Sequence, residues 1–303
     1  MSVTLAISVS NLTKDYGGIR AVDHASFEVP VGTICGFVGP NGSGKTTTIR
    51  MLLGLIAPSD GIGAVLGESI SDPQRYLQYV GAMIEGPAFY PALTGEENLM
   101  VLATLGGFPP SRIGNLLDLV GLSDRGRSKY KTYSLGMKQR LGIAASLLPE
   151  PKLLILDEPT NGLDPAGIQE VRDLLVKLAK SGVTIFVSSH LLSEIEMISE
   201  YLVMLQKGKV IFFGKTEELL HRTKPTITAI PNNSDDLTQL FEIAKKAGHP
   251  ARIKDSEVHI DAEEDWGSEL NRLAFEHGII LKQITPVRPT LEETFFAMTE
   301  EST

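Results

Sequence analysis

The 303-residue sequence predicts a mainly parallel α/β domain with a helical insertion, followed by a small α+β domain. Three observations predict this fold class. Short apolar strands alternate with helices in the first part of the chain, and strands are missing between about residues 89 and 149. After residue 221 a new order begins, which reads strand, helix, strand, strand, helix, strand. We therefore expect one domain at 1–220, with its helical subdomain at about 89–149, and a second domain at 221–303.

The first domain is predicted from short apolar runs that lead into helical patterns. Runs of this kind are typical of parallel strands that are covered on both faces of a sheet. The predicted strands are Val3–Ser8, His24–Val29, Thr33–Val38, Leu153–Leu156 and Thr184–Ser188, and the predicted helices are Lys45–Leu53 and Pro165–Lys180.

The insertion is predicted to be helical because its apolar spacing and stop signals fit helices alone. Thr94 and Glu97 form a capping-box pattern, which opens a helix that runs toward Leu105 and ends at a glycine pair. Two more helices are expected at Ser111–Val120 and Ser134–Leu148.

The second domain is predicted to be a split βαβ sandwich. Its expected strands are Thr226–Ile230, Ala251–Lys254, Glu257–Asp261 and Ile279–Val287, and its expected helices are Asp235–Ala247, Glu263–His277 and Leu291–Thr299.

Charge and composition exclude several classes of protein. The net charge is −9, and residues 221–303 carry −6 of it with 9 basic and 15 acidic side chains. Binding to nucleic acid or to an anionic lipid surface needs clustered positive charge, so neither partner is expected. The single cysteine, Cys35, is consistent with a reducing compartment. No apolar run is long enough to span a bilayer and the start lacks signal-peptide features, so we expect the chain to stay inside the cell.

A phosphate-binding pattern follows the strand predicted at Thr33–Val38. Residues 39–46 read GPNGSGKT, which matches GxxxxGK[ST] between an apolar strand and a helix. Successive N–H groups of such a loop bind phosphate, the lysine neutralises β- and γ-phosphates, and the threonine hydroxyl ligates magnesium. A chance glycine turn is the alternative. The predicted nucleotide-binding residues are Gly39, Asn41, Gly42, Ser43, Gly44, Lys45, Thr46 and Thr47.

A second motif supplies carboxylates. Residues 153–159 read LLILDEP, which places Asp157 and Glu158 at the carboxyl end of a buried strand, on the ligand side of a parallel sheet. Asp157 is the candidate magnesium partner, either as a ligand or through a bound water. Glu158 is the candidate general base for the attacking water. A solvated acidic pair that caps a helix is the alternative.

With these two motifs the sequence closely resembles the ATP-binding subunit of ABC transporters over about residues 3–220. Residues 134–140 read SLGMKQR and resemble the family signature, usually LSGGQ followed by Gln-Arg, with Ser134 and Gly136 retained. A serine hydroxyl and free N–H groups at a helix N-terminus suit a γ-phosphate. In the family that phosphate is held by the opposite subunit, so the resemblance implies that one chain cannot complete a site. A plain helix cap is the alternative.

Three further positions gain a role from the resemblance alone. The sequence NGLD ends at Asp164 and looks like the loop that contacts the partner subunit. His190 looks like the switch histidine that contacts the γ-phosphate, although a histidine after a strand is often structural. Tyr16 matches the aromatic residue that stacks on adenine, with a buried core tyrosine as the alternative.

Glu85 departs from the family pattern. Most members have glutamine at this place, where it links magnesium and the attacking water to the permease contact. A carboxylate can still accept from metal-bound water, so Glu85 is also a candidate metal and nucleotide contact. Glutamate here, together with the following PAFYP-like segment, is similar to bacitracin-resistance and lantibiotic self-protection exporters. A neutral change in a tolerant loop is the alternative.

The resemblance implies a protein that binds ATP and Mg²⁺, forms a dimer with a second ATPase subunit, expected to be identical, and drives a separately encoded membrane permease. It implies a peripheral location on the inner face of the cell membrane and export of an antimicrobial peptide or another amphiphile. An ATPase that acts on nucleic acid or ribosomes is the rival. Such members carry coiled coils, zinc modules or fused ATPase domains, which this sequence lacks. An inert regulatory subunit conflicts with the intact catalytic candidates Lys45, Asp157, Glu158 and His190.

Overall fold

The computed structural model describes residues 4–86, 88–220, 225–287 and 290–300, and the chain divides into two compact units, Met1–Thr216 and Glu217–Thr303. The described strands of the first unit are β1 (Leu5–Tyr16), β2 (Ile19–Pro30), β3 (Ile34–Val38), β4 (Asp60–Val65), β5 (Glu68–Ser69), β6 (Val80–Met83), β7 (Leu153–Asp157), β8 (Thr184–Ser189), β9 (Tyr201–Gln206) and β10 (Lys209–Lys215). Its described helices are α1 (Lys45–Leu52), α2 (Gly95–Gly106), α3 (Ile113–Leu119), α4 (Leu135–Ser146), α5 (Pro165–Lys180) and α6 (Leu192–Glu196), and α7 (Thr216–Leu220) follows at the boundary.

A six-stranded sheet forms the centre of the first unit. Its order is β10-β9-β3-β8-β7-β6, and every neighbouring pair is parallel except β9 with β10. All residues of β3, β7 and β8 are buried, as expected for strands covered on both faces. The carboxyl ends of these strands lie at one edge, so the segments that follow them converge there.

A second, antiparallel sheet packs on the first. Its order is β2-β1-β4-β5. Phe27 of β2, Phe37 of β3 and Phe186 of β8 are buried together, with ring centroids 4.8 Å apart for Phe37 and Phe186 and 6.0 Å apart for Phe27 and Phe186. This aromatic contact joins the two sheets. It includes a residue of β3, the strand that leads into the phosphate-binding pattern.

Several strands were not predicted from the sequence. The strand predicted at Val3–Ser8, whose first residue lies outside the described ranges, continues to Tyr16, because bulges carry the pairing past polar residues. Asn11 adopts a left-handed φ of +51° in this strand. β4, β5, β6, β9 and β10 were also missed, since glycines in DGIGAV and the short length of VGAM hide the usual strand pattern.

The second unit is a four-stranded antiparallel sheet with helices. Its described elements are β11 (Thr226–Pro231), α8 (Leu237–Lys246), β12 (Ala251–Lys254), β13 (Glu257–Asp261), α9 (Trp266–Glu276), β14 (Leu281–Val287) and α10 (Leu291–Glu300), and the strand order is β12-β13-β11-β14. Leu240 of α8 and Leu270 of α9 are buried against Ile227 and Ile260 of the sheet. The predicted fold class, α/β followed by α+β, is confirmed. Each helix within the described ranges falls short of the length and apolar character needed to cross a membrane.

Candidate active site

The loop between β3 and α1 is shaped by glycines that no other residue could replace. A Cβ atom on Gly39 would lie 2.3 Å from the carbonyl oxygen of Leu205, and one on Gly44 would lie 2.5 Å from that of Ala21. Gly44 also has a φ of +107° and stands at the N-cap of α1, where it offers no capping side chain. The first N–H groups of α1 are therefore left for an acceptor from outside the helix, which suits a phosphate.

Lys45 is a buried cation whose partners lie on two sides. Its Nζ donates to the carbonyl of Gly39 at 2.6 Å and lies 3.2 Å from Oε1 of Glu158. Lys45 is only 6% exposed, so these contacts replace the water that a buried ammonium would otherwise need. The lysine thus joins the β3–α1 loop to the segment after β7.

Thr46 and Asp157 form the second link between these segments. The Thr46 hydroxyl donates to Oδ2 of Asp157 at 2.7 Å, and Asp157 is 4% exposed at the end of β7. A hydroxyl and a carboxylate are oxygen donors of the kind that Mg²⁺ prefers. The structure therefore brings together two of the three residues that the sequence proposes as magnesium partners.

Glu158 stands directly after β7 in a left-handed conformation, with a φ of +49°. Such a backbone costs roughly 1–2 kcal/mol for a residue other than glycine. One carboxylate oxygen faces Lys45, and the other lies 2.7 Å from Nδ1 of His190. The strained turn thus aims Glu158 between two basic groups. We call Lys45, Thr46, Asp157, Glu158 and His190 the Lys45 cluster.

Two residues of this region were missed by the sequence reasoning. Ser188 is buried on β8 and contacts both Asp157 and Glu158 through its hydroxyl. A hydroxyl at the end of an otherwise apolar strand was the signal that could have identified it. Arg50 of α1 pairs with the carboxylate of Glu85. No periodicity or motif indicates that pair.

Glu85 has no described contact with the other two predicted metal partners. Its side chain is 62% exposed, and its described partner is Arg50, not Thr46 or Asp157. The residue has a φ of +58°, so the loop after β6 is turned sharply at this point. Its assignment as a metal ligand therefore gains no contact in the structure and stays a prediction.

We call Ser134, Gly136 and Asp164 the Ser134 surface. Within their own chain, Ser134 and Asp164 are the N-caps of α4 and α5. The Ser134 hydroxyl accepts from the amide of Met137 at 3.2 Å at the start of α4. Asp164 accepts from the amide of Gly167 at 3.0 Å at the start of α5. Both residues are exposed. The plain helix cap that the sequence left as an alternative is thus present in the single chain.

Gly136 differs from the loop glycines because its own chain does not require it. A Cβ atom there would find Leu163 at 3.8 Å as its nearest neighbour, which is an ordinary contact.

Tyr16 ends β1 and is 46% exposed, so the alternative of a buried core tyrosine is excluded. Tyr16 is therefore open to a contact from outside the chain, and Gly136, which is half-buried, has space for an added methyl group.

The donor set of the loop fits a magnesium nucleotide. The hydroxyl of Ser43 is buried and has no hydrogen-bond partner among the described residues, so it is left for an acceptor or donor that a ligand brings. Within the described ranges no group of three or more His, Cys, Asp or Glu side chains could hold a metal on its own. Magnesium is commonly bound by one or two protein groups together with phosphates, and Thr46 with Asp157 matches that pattern. Of the remaining predicted nucleotide contacts, Asn41 and Gly42 lie in the loop and are exposed, and Thr47 lies in the first turn of α1.

Comparison with known proteins decides the family. The family model described as ABC transporter matches residues 22–161. The bacitracin transport ATP-binding protein of Bacillus licheniformis is 41% identical over 298 residues, which cover 95% of this chain and 95% of the relative. The chain belongs to the ABC transporter family.

Other members of the ABC transporter family agree with this assignment. The lantibiotic transport ATP-binding protein of Streptococcus pyogenes is 42% identical over 205 residues, which cover 68% of this chain and 89% of the relative. A solved structure of the ATP-binding subunit of an ABC transporter has 31% identity and a TM-score of 0.64, over 72% of this chain and 93% of that one. The predicted ABC ATPase fold and the predicted resemblance are both confirmed.

Proposed function

We propose that this ABC transporter chain is an ATPase subunit that works as a dimer and powers a separate membrane permease, which exports a peptide antibiotic or a similar amphiphile. The observation that carries the ATPase activity is the Lys45 cluster. It joins a phosphate-binding loop, a pair of oxygen donors and a carboxylate that lies between two basic groups. These are the parts that phosphoryl transfer needs.

ATP binding is assigned to the loop and to α1. The N–H groups of the loop and Lys45 contact the phosphates, and Tyr16 offers its exposed ring to the adenine. Thr46 and Asp157 hold the magnesium ion, which when bound neutralises phosphate charge. A phosphate on Lys45 competes with Glu158 for the same ammonium group, because Nζ lies 3.2 Å from the carboxylate. Nucleotide binding therefore frees Glu158 from Lys45.

Hydrolysis is assigned to Glu158 and His190. Once released from Lys45, the Glu158 carboxylate accepts a proton from the attacking water. His190 lies 2.7 Å from the other oxygen of the same carboxylate, so it holds the side chain in place while the proton moves. Lys45 stabilises the charge that develops on the transferred phosphate.

Dimer formation is assigned to the Ser134 surface. Gly136 has room for a Cβ atom within its own chain, and Ser134 and Asp164 are exposed. A glycine whose own chain leaves space for a Cβ atom allows close approach of something else, and a nucleotide held by a second copy fits a helix N-terminus. This supports a site completed by two chains.

The permease partner is supported by an exposed apolar groove. It has a volume of about 410 Å³ and lies between β6 and the helical insertion, where Leu105 of α2 is 79% exposed. Val80 of β6 lines the groove, and Glu85 follows the same strand. Apolar patches of this kind mark protein contacts.

The peptide substrate is supported by relatives named for bacitracin and lantibiotic transport. Attachment to a permease would place the chain at the inner face of the membrane.

Two measurements test the proposal. The purified chain is expected to hydrolyse ATP only with Mg²⁺, and Lys45→Ala is expected to abolish that activity, because the phosphates lose their charge partner. From detergent-solubilised membranes the tagged chain is expected to carry a membrane permease with it. Co-purification with ribosomes or nucleic acid in place of a permease would contradict the transport role. Absence of ATP hydrolysis by both the chain and its complex would contradict the enzymatic role.

A further inference from the structure

We propose that Ser188 is a positioning residue for the two acidic side chains that follow β7, an assignment that rests on the proposed ATPase function. Ser188 belongs to β8, is fully buried and stands in register with Asp157 on the neighbouring parallel strand. Its hydroxyl lies 2.5 Å from Oδ1 of Asp157 and 3.0 Å from the backbone nitrogen of Glu158. The Ser188 side chain thus contacts both Asp157, the candidate magnesium partner, and Glu158, the candidate general base.

The direction of each hydrogen bond at Ser188 follows from the groups involved. A backbone N–H can only donate, so the Ser188 oxygen accepts from Glu158. An ionised carboxylate can only accept, so the single hydroxyl proton goes to Asp157. Ser188 therefore acts as donor and acceptor at once, and a side chain that lacks either capacity cannot make both contacts.

The contact with Asp157 fixes the orientation of its carboxylate. Oδ1 is held by Ser188 at 2.5 Å, and Oδ2 is held by the Thr46 hydroxyl at 2.7 Å. A carboxylate that is bound at both oxygens cannot rotate freely about its terminal torsion. Oδ2 therefore stays directed at Thr46, the other residue assigned to magnesium. Groups behind a metal ligand commonly set its orientation in this way.

The contact with Glu158 supports a strained piece of backbone. Glu158 has a φ of +49°, and the amide that donates to Ser188 is the one next to that torsion. By accepting from this amide, Ser188 stabilises the turn that aims the Glu158 carboxylate toward Lys45 and His190. Loss of the hydroxyl is expected to loosen this turn while the strand around it stays buried.

The test uses three substitutions of Ser188 and two kinds of readout. For Ser188→Ala we expect kcat to fall about 10- to 100-fold, with a higher Mg²⁺ concentration needed for half-maximal activity, as for other groups that orient a metal ligand. We expect KM for ATP to change by less than about 3-fold, because the phosphate loop is untouched. In the chain without nucleotide, the amide of Glu158 should exchange its hydrogen faster, since its acceptor is gone. Ser188→Thr keeps the hydroxyl and should restore these values, whereas Ser188→Cys keeps the size without a strong hydrogen bond and should resemble alanine.

Thr184 provides a matched control at the opposite end of β8. It is fully buried, and its hydroxyl accepts from the amide of Gly32 at 2.9 Å. Thr184→Val should lower the melting temperature but leave kcat and the exchange of the Glu158 amide as in the unmodified chain. The proposal is overturned if Ser188→Ala keeps normal kcat and normal Glu158 exchange, or if Thr184→Val changes both as strongly. If neither the unmodified chain nor its complex hydrolyses ATP, the proposed function fails, and the exchange of the Glu158 amide still decides the role of Ser188.

Discussion

The Lys45 cluster and the Ser134 surface differ in how far a single chain satisfies them. In the cluster, Lys45 and Asp157 are buried and each has partners within 3.2 Å. On the surface, Ser134 and Asp164 are exposed, and their contacts are with the amides of their own helix starts. The first region is held together by contacts within a single chain, whereas Ser134 and Asp164 of the second serve within that chain as ordinary helix caps.

This difference separates the residues whose partners lie within one chain from those that remain open to another molecule. Buried charges need partners within the fold. The partners in the cluster are supplied by the segments that follow β3, β7 and β8, which are neighbours in one sheet. An exposed helix start has no such requirement, because water can satisfy its groups. The single chain does not require glycine at position 136, since a Cβ atom there would lie 3.8 Å from Leu163, which is an ordinary contact. We therefore propose that the role of the Ser134 surface depends on a second molecule.

The largest effect is expected inside the cluster. Glu158→Gln removes the proton acceptor but keeps the size and most contacts of the side chain, so turnover should fall about 100- to 10,000-fold while ATP still binds. Steady-state ATPase assays and a nucleotide-binding titration measure the two quantities. Glu194→Gln changes another glutamate of the same unit, which accepts from Thr160 at 2.7 Å, and serves as the control for loss of one carboxylate. Normal turnover of Glu158→Gln would remove the general base from the mechanism.

A smaller effect is expected on the Ser134 surface, and it should separate activity from stability. Gly136→Ala should leave the melting temperature nearly unchanged, because the added methyl has space in the single chain. If a second chain approaches Gly136, the same methyl should reduce ATPase activity by about 10-fold, which corresponds to about 1.4 kcal/mol. Ser134→Ala is the comparison, because it should lose about 1 kcal/mol of stability as a removed helix cap. A Gly136→Ala chain with full activity would indicate that nothing approaches this glycine.

The smallest effect on hydrolysis is expected at Glu85, outside both regions. Its exposed carboxylate pairs with Arg50, so Glu85→Gln should keep ATPase activity at or above that of the unmodified complex. If Glu85 relays the nucleotide state to the permease, Glu85→Ala should leave ATP affinity close to normal but weaken the coupling of hydrolysis to transport.

The paired measurement is the ATPase rate of the reconstituted complex and the peptide-antibiotic tolerance of cells that carry each variant. Tolerance should be lower for both variants. Arg50→Gln removes the partner of Glu85 and should reduce tolerance in the same direction. Equal tolerance for all of these chains would make Glu85 an ordinary loop residue and would weaken the assignment to peptide export.

The sequence predicted most of the cluster and little of what supports it. Lys45, Thr46, Asp157 and Glu158 follow from two short motifs, because a phosphate loop and a strand-end carboxylate need particular residues at fixed places. A hydroxyl at the end of an apolar strand marks the position of Ser188, but its contacts with Asp157 and Glu158 depend on the register of β8 with β7, which no local pattern gives.

The fold shows the same division. Apolar runs such as β7 and β8 were predicted because burial on both faces leaves a direct trace in the sequence. The bulged extension of β1 was not predicted, because polar residues interrupt its pattern and pairing with β2 and β4 alone maintains it. The pair of Glu85 with Arg50 likewise comes from tertiary contact between a loop and α1.

The central claim, that two chains complete one site, is tested most directly by the mass of the Glu158→Gln chain in solution. Light scattering should report one chain without nucleotide and two chains with ATP and Mg²⁺, since hydrolysis no longer releases the bound state. Adding Ser134→Arg should prevent the doubling, because the bulky side chain then fills the space that the phosphate of the other chain needs. A doubling that needs no ATP, or one that Ser134→Arg leaves intact, would contradict the claim.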